Sequence, residues 1–158
     1  MTSKVMDAAP PGGDSGGMSE NAAAPAPPAL DQMVSMMPFA SVLGIELSAA
    51  TTEEVRGSMT WREDLCTTFG LMHGGAMMAM ADTIGAICAF LNLPEGATTS
   101  TIESKTNFFR AIREGSVHAT CRPLHVGRTT IVVQTDLADD RGKRVAQVTQ
   151  TQAVLQQS

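Results

Sequence analysis

The segment that most constrains the fold is the run over residues 74–91, in which Asp82 is the single charged residue. Its larger apolar residues recur at alternating steps of three and four, the spacing of one helix face: Met77, Met80, Ile84, Ile87 and Leu91. A second stripe lies roughly opposite and is mostly small: Gly75, Met78, Asp82, Gly85 and Ala89. Small residues let another backbone approach closely. The sequence therefore predicts a helix that is buried on both sides, with Asp82 in the second contact.

Two other interpretations of this run compete with a functional one. A run of this length could span a membrane, but a central carboxylate, several glycines and the lack of a flanking basic cluster argue against that. Asp82 could also be structural and neutralised by hydrogen bonds, because a buried carboxylate is costly unless it is paired. The glycine pair at the helix start favours a site. A helix N-terminus has unpaired N–H groups and partial positive charge, and glycine lets a ligand oxygen approach them.

The spacing of Gly74 and Asp82 bears on the number of chains in such a site. Eight residues separate them, which is about 12 Å along a helix axis. Within one chain they cannot act on the same small reacting group. If they act together, Asp82 must come from a second copy related by a two-fold axis. The sequence thus predicts a homo-oligomer with active sites shared between subunits.

A resemblance to a known family rests on His73-Gly74-Gly75 followed by Met80-Ala81-Asp82. This pattern resembles the HGG-x5-small-Asp signature of hotdog-fold acyl-CoA thioesterases of the phenylacetate-degradation, or PaaI-like, type. The similarity covers roughly residues 38–155. It implies an α+β hotdog fold, in which a curved antiparallel sheet wraps around one long central helix. It also implies hydrolysis of an acyl-CoA to the free acid and CoA, in a dimer or a tetramer of two dimers.

The resemblance assigns roles to the residues of the motif. Asp82 would attack the thioester carbon or activate a water as general base, and both routes stay open. The base role is slightly favoured, because a water can bridge a mismatch in distance. Gly74 would offer its backbone N–H to the thioester carbonyl and the developing oxyanion. His73 would orient the thioester, or else cap the helix.

Two further positions near the motif are candidates by the same resemblance. The family commonly carries Asn six residues before the motif histidine, where this chain has Thr67. A hydroxyl can donate and accept a hydrogen bond, but it cannot present the geometry of an amide. Ser100 and Thr101 fall where the family often places a hydroxyl that assists the water or the acyl group.

Two turns resemble the coenzyme A groove of the family. The segment over residues 110–115 is similar to its Arg-Pro-x-x-x-Gly turn and contributes Arg110 and Arg113, and the segment over residues 125–129 is similar to its His-x-Gly-Arg turn. The latter supplies His125, Gly127 and Arg128. Arginine suits phosphate through its planar fork of donors. Ordinary solvated charge at sheet ends is the alternative. Coenzyme A enters as part of the substrate, and no metal or separate cofactor is expected.

The rest of the chain predicts one domain behind a tail. Residues 1–29 are rich in Ala, Pro, Gly and Ser and predict a disordered tail, and residues 30–158 suit a single domain. A helix pattern over residues 30–42 is ended or kinked by Pro38. Strand patterns cover residues 44–49, 55–61, 100–109, 116–124, 129–138 and 144–155. Short connections, including a hairpin at residues 139–142, predict an antiparallel meander with the long helix on one face.

Composition excludes several classes of protein. The net charge of −5 gives no support to binding of nucleic acid or of an anionic membrane. Cys66, Cys88 and Cys121 are scattered without metal spacing. Cys88 on the apolar helix and Cys121 in a strand pattern are predicted core thiols in a reducing compartment, and no histidine spacing makes Cys66 a nucleophile. No hydrophobic segment follows Lys4 as in a secretory signal, and a cytoplasmic location is expected.

The leading functional prediction is therefore an acyl-CoA thioesterase. The alternative is a non-catalytic hotdog protein that binds or senses acyl-CoA, motivated by Thr67 in place of the amide. A dehydratase or hydratase of the same fold would need a histidine and an acid at a different spacing along the helix. Eleven methionines and no tyrosine favour an adaptable apolar site for the acyl group.

Overall fold

The computed structural model describes residues 29–156, so the predicted tail lies outside the described residues except for Ala29. The division of the chain at residue 29 stays a prediction. The described residues form three α-helices: α1 Leu30–Ser35, α2 Pro38–Leu43 and α3 Gly74–Phe90. They form six strands: β1 Ile45–Ala50, β2 Val55–Thr60, β3 Ala97–Phe108, β4 Ser116–Val126, β5 Thr130–Ala138 and β6 Arg144–Gln156. Within this part of the chain, no helix is long and apolar enough to cross a membrane.

The six strands form one antiparallel sheet in the order β1-β2-β4-β5-β6-β3. Each predicted strand is present with its ends within three residues of the prediction. The predicted meander is wrong in one respect, because β3 pairs with β6 and not with β4. The reason is that the connection between β2 and β3, which contains α3, takes the chain across the sheet to its far edge. The segment after β3 then returns the chain to β4, beside β2.

The helix α3 packs across the sheet and fills the core. The predicted apolar face is confirmed, since Met80 and Ile84 are fully buried and Met77 and Ile87 nearly so. Opposite them, β5 presents every second residue to the helix and closes the core with Ile131, Val133, Thr135 and Leu137. A curved antiparallel sheet around one long helix is thus confirmed.

The second stripe of α3 is only half covered, which corrects the prediction of a helix buried on both sides. Gly85 and Ala89, in the C-terminal half, are buried, whereas Gly75, Met78 and Asp82 are exposed. The sheet of one chain reaches the C-terminal half of the stripe, where Gly85 lies against Gln150 and Val133. The N-terminal half, with Asp82, is left exposed by the sheet of the same chain.

The predicted break of the helix pattern over residues 30–42 at Pro38 is confirmed, because two short helices, α1 and α2, meet there. Pro38 stands at the first position of α2, where its missing N–H costs nothing. Gly44 then ends α2 in the left-handed conformation, with φ at 70°. Arg62 donates to the carbonyl oxygens of Val42 at 3.0 Å and Leu43 at 3.2 Å, which satisfies the helix end.

The hairpin between β5 and β6 is confirmed and is tied to β4. Asp139 accepts from the backbone N–H groups of Arg141 and Lys143. Asp140 accepts from His118 Nε2 at 2.7 Å and from the backbone N–H of Ser116 at 3.1 Å. Of these, the His118 bond contributes most to lowering the pKa of the Asp140 carboxyl.

Replacing Met80 by alanine should destabilise the fold strongly. Met80 is fully buried, and truncation of a buried methionine leaves a cavity that costs about 2–5 kcal/mol. The matched control is Met36→Ala, because Met36 is 75% exposed and should change stability by less than about 0.5 kcal/mol. Urea unfolding of both variants at one protein concentration measures the difference. Equal losses for the two would contradict the packing described for α3.

Candidate active site

A short loop places His73 at the start of α3. The backbone N–H of Thr67 donates to Leu71 O at 2.7 Å, and that of His73 donates to Leu65 O at 2.8 Å. Met72 is held to Ile112 O at 2.9 Å. The loop therefore closes on itself and on the segment after β3, which fixes the point where the helix begins.

His73 caps the helix with its ring. Its Nδ1 accepts from the backbone N–H of Gly75 at 2.8 Å, which satisfies one of the donors that a helix start leaves open. Because Nδ1 is an acceptor, the proton of the neutral ring sits on Nε2. The structure thus shows the capping role, and a part for His73 in orienting a substrate stays a prediction.

Gly74 offers an open backbone N–H beside an aromatic ring. Within residues 29–156, the N–H groups of Gly75, Ala76 and Met77 have partners and that of Gly74 has none. A Cβ built on Gly74 would lie 3.1 Å from Cζ of Phe108. The ring of Phe108, which sequence reasoning missed, therefore sits close over this glycine. A free backbone N–H at a helix start can stabilise a developing oxyanion.

Asp82 lies two turns further along α3 and is exposed in the single chain. Its Oδ1 accepts from Thr101 Oγ1 at 3.2 Å and from Gln150 Nε2. Its Oδ2 has no donor among the residues that the structure describes. A carboxylate held through one oxygen keeps the other available for a water or a reacting carbon.

A chain of hydrogen bonds that starts from a buried glutamine supports this carboxylate. Gln152 Nε2 donates to Thr101 Oγ1 at 2.9 Å, and Thr99 Oγ1 lies 3.2 Å from Gln152 Oε1. Because Thr101 accepts from Gln152, its own hydroxyl proton is directed to Asp82. The side chains of Gln150 and Gln152 are 1% and 0% exposed. Sequence reasoning missed both, although they share the phase of Val148 and Val154 on β6.

The hydroxyl predicted near Asp82 is that of Thr101. Ser100, one residue away on β3, makes no hydrogen bond to the carboxylate, because neighbouring strand residues point to opposite faces. Thr67 lies in the loop before His73, and within residues 29–156 its hydroxyl has no partner. Whether it replaces the amide of the family stays a prediction.

The residue after Thr67 and Thr68 has an unusual conformation. Phe69 has φ at 65°, in the left-handed region that few side chains adopt, and it is 88% exposed. Arg113 Nη1 donates to Phe69 O at 3.3 Å, and Trp61 Nε1 donates to Gly70 O at 3.1 Å. One of the predicted phosphate ligands, Arg113, thus also supports the loop before the motif.

The two predicted coenzyme A turns lie at opposite ends of the sheet. Arg110 donates to Arg144 O at 2.6 Å, at the end of β3 that carries Phe108. The turn with His125, Gly127 and Arg128 joins β4 to β5 at the other end of the sheet. Thr101 lies near that end of β3. Thr101 and Phe108 are seven residues apart, and with the β-bulge between Thr101 and Glu103 this is about 20 Å along the strand. One chain therefore does not bring the two turns together.

Arg128 is the most available of the predicted phosphate ligands. It is exposed, and within residues 29–156 it makes neither a hydrogen bond nor an ion pair. Arg122, in contrast, pairs with Glu54, which also holds Arg56. Gly127 donates to Thr130 O at 2.9 Å and so fixes the turn.

The thiols are not arranged as nucleophiles. Cys88 and Cys121 are buried, which confirms them as core residues. A hydrogen bond to Cys88, together with burial, raises the pKa of the Cys121 thiol, which stays protonated. Cys66 donates to Arg62 O at 3.2 Å.

Comparison with known proteins gives a consistent family. Residues 69–146 match the family model described as the thioesterase superfamily. A putative esterase of Haemophilus influenzae is 35% identical over 103 residues, which is 65% of this chain and 75% of the relative. The proofreading thioesterase EntH of Cronobacter turicensis is 31% identical over 65% of this chain and 74% of the relative. The 1,4-dihydroxy-2-naphthoyl-CoA hydrolase of Escherichia coli is 34% identical over 55% of this chain and 64% of the relative.

Solved structures agree with these relatives. A mutant thioesterase of Pseudomonas aeruginosa superposes with a TM-score of 0.77 at 31% identity, over 81% of this chain and 94% of that one. A thioesterase of Haemophilus influenzae superposes with a TM-score of 0.78 at 29% identity, over 83% and 93% of the two chains.

Substitution of His73 tests whether its ring only caps the helix or also takes part in catalysis. His73→Ala removes the ring that accepts from Gly75 and should lower the free energy of unfolding by about 0.5–2 kcal/mol. His73→Asn should recover most of that loss, because asparagine is among the best N-cap residues. Urea unfolding and thiol release are measured on both variants. A stable His73→Asn protein without hydrolysis would show that the ring has more than a capping role.

Proposed function

Because the chain belongs to the thioesterase superfamily and is a thioester hydrolase of the hotdog fold, we propose that its substrate is an acyl-coenzyme A. It releases the free acid and CoA, in the manner of the PaaI-like type. The observation that carries the proposal is the Asp82 carboxylate, which is exposed, fixed through Oδ1 and open at Oδ2. The name of one relative, a CoA hydrolase, supports the substrate class.

In the favoured route, Asp82 acts as general base on a water. Oδ2 takes the proton as the water oxygen bonds to the thioester carbon, and the carbonyl electrons move to the oxygen. When the tetrahedral intermediate collapses, the carbon–sulfur bond breaks and its electron pair goes to sulfur. The proton held on Asp82 passes to the thiolate. In the alternative route, Oδ2 attacks the carbon, and the carbon–sulfur bond breaks with its electron pair going to the sulfur of CoA. A water then hydrolyses the mixed anhydride, which frees the acid and the Asp82 carboxylate, and its released proton goes to the thiolate.

The backbone N–H of Gly74 would donate a hydrogen bond to the oxyanion of that intermediate. Its position at the start of a 17-residue helix adds the partial positive charge of the helix dipole. The neighbouring Phe108 ring lowers the local polarity and makes such a donor more effective. A single preorganised donor of this kind is typically worth about 10²–10³ in rate.

A second copy of the chain would complete the site. Asp82 lies beside Thr101 and Gly74 beside Phe108, so the two groups sit at different points along β3. The strand β3 is a 12-residue edge of the sheet, and Ile102 is 63% exposed on it. Such an edge is a template for pairing. A two-fold axis through its middle would bring Asp82 of one copy to Gly74 of the other.

The same two-fold axis would unite the coenzyme A turns. The turn with Arg110 and Arg113 lies at the Phe108 end of β3, and the turn with Arg128 lies at the Thr101 end. Antiparallel pairing places opposite ends side by side, so each CoA would meet one turn from each subunit. A dimer is the smallest such assembly, and a tetramer of two dimers is compatible with it. Coenzyme A is part of the substrate, so the proposal includes neither a metal nor a separate cofactor. We also propose a cytoplasmic location.

Thiol release from a panel of acyl-CoAs tests the activity. We expect Asp82→Asn to lower kcat by about 10²–10⁴, because the base is removed and its shape is kept. Asp31→Asn, at an exposed position of α1, should leave kcat unchanged. Saturable binding of acyl-CoA without release by the native protein would favour the sensing alternative. Release by Asp82→Asn at the native rate would remove Asp82 from the mechanism.

Substitution at Gly74 tests the oxyanion donor. Gly74 is the first helical residue and His73 has an extended backbone, so proline fits there without its N–H. We expect Gly74→Pro to lower kcat by about 10²–10³ and Gly74→Ala, which keeps the N–H, to lower it far less. Both place a Cβ against Phe108, so the comparison isolates the donor.

The same variants test whether sites are shared. In an unfolded and refolded mixture of Asp82→Asn and Gly74→Pro chains, half of the dimers are mixed, and each has one intact site. Activity should return to about a quarter of the native value. If both groups acted within one chain, the mixture would stay as inactive as its components.

A further inference from the structure

Gln150 is a polar side chain in the middle of the core. It lies on β6 in phase with Val148 and Val154 and is 1% exposed. Its Nε2 donates to Asp82 Oδ1, whereas its Oε1 is buried without a partner among the residues the structure describes. Burying an amide with one unsatisfied atom is unfavourable. An apolar residue, like Val148 at the preceding core position of β6, would pack there without that cost.

Gly85 makes the space for this amide. A Cβ at Gly85 would overlap Gln150 Oε1 and would lie 3.0 Å from its Cδ and 3.3 Å from Val133 Cγ2. Glycine is less favourable than alanine inside a helix, so Gly85 lowers the intrinsic stability of α3. Gly85 follows Asp82 by three residues and therefore lies on the same side of the helix. The amide is confined between the two.

This confinement gives the amide one orientation. A carboxylate only accepts hydrogen bonds, so Nε2 must face Asp82 and Oε1 must face Gly85. Thr101 also donates to Oδ1, but it lies on the exposed edge strand β3. Gln150 lies on β6, which is flanked by strands on both sides. It is therefore the more rigid of the two anchors.

We propose that Gln150 is a positioning residue for thioester hydrolysis, which fixes the side-chain rotamer of Asp82 so that Oδ2 faces the reacting groups. This inference rests on the proposed role of Asp82. Gln150 is buried and does not reach the surface where a substrate binds. It acts on the step in which the carboxylate takes a proton or attacks, and not on the binding of acyl-CoA.

Gln150→Met tests the role, because methionine has a similar unbranched length and no donor. A misplaced catalytic group can cost up to about 10² in rate, so we expect kcat to fall about 10–100-fold. KM should stay within about twofold, and the midpoint of thermal unfolding should not fall, since the unsatisfied Oε1 is removed. Gln147→Met is the matched control on the same strand. It removes a hydrogen bond of 2.9 Å to Asp136, and kcat should be unchanged.

A second set of variants separates positioning from packing. Gly85→Ala should lower both kcat and the unfolding midpoint, because its Cβ displaces the amide. Adding Gln150→Ala removes the clash and should restore the midpoint without restoring kcat. Recovery of kcat together with the midpoint would overturn the proposal, since packing alone would then explain the loss.

A double-mutant cycle links the effect to Asp82. Gln150→Met should add no further loss when Asp82 is already asparagine. An equal loss in both backgrounds, or native kcat in Gln150→Met while Asp82→Asn is inactive, would overturn the positioning role and leave the proposed function intact. Native activity in Asp82→Asn would instead overturn the proposed function itself.

Discussion

The structure depends on the burial of α3 against the antiparallel sheet. Met80 and Ile84 fill the space beneath the sheet, and the connection that contains the helix crosses from β2 to β3 at the far edge. This crossing leaves β3 as an edge strand paired only with β6. The packing that provides most of the core therefore also places Gly74 and Asp82 beside an open strand. Fold and site follow from one arrangement.

The Asp82 carboxylate is held by neutral donors and not by a cation. Thr101 and Gln150 reach Oδ1, and within residues 29–156 no lysine or arginine pairs with Asp82. Amide and hydroxyl donors at Oδ1 fix the direction of the side chain, and among the described residues Oδ2 has no donor. Two buried glutamines and a glycine inside α3 make this orientation of Asp82 possible.

Much of the fold was predictable, because periodicity reports which residues share a face. The long helix and all six strands follow from it. Periodicity does not report how much of a face the sheet covers, so Asp82 was predicted to be buried and is exposed.

Strand order was missed for a related reason, since alternation does not identify a partner. The choice between Ser100 and Thr101 needed the phase of β3, where one residue reverses the side. Gln150 was missed because a polar residue on a strand is usually assigned to the solvent side.

Two separations within one chain have the same geometric solution. Gly74 and Asp82 are about 12 Å apart along α3, and the two basic turns lie at opposite ends of the sheet. Antiparallel pairing of two β3 strands, with Thr101 opposite Phe108 of a second copy, would close both gaps at once. One two-fold axis would bring Gly74 to Asp82 and one basic turn to the other. This agreement is a stronger reason for a shared site than either separation alone.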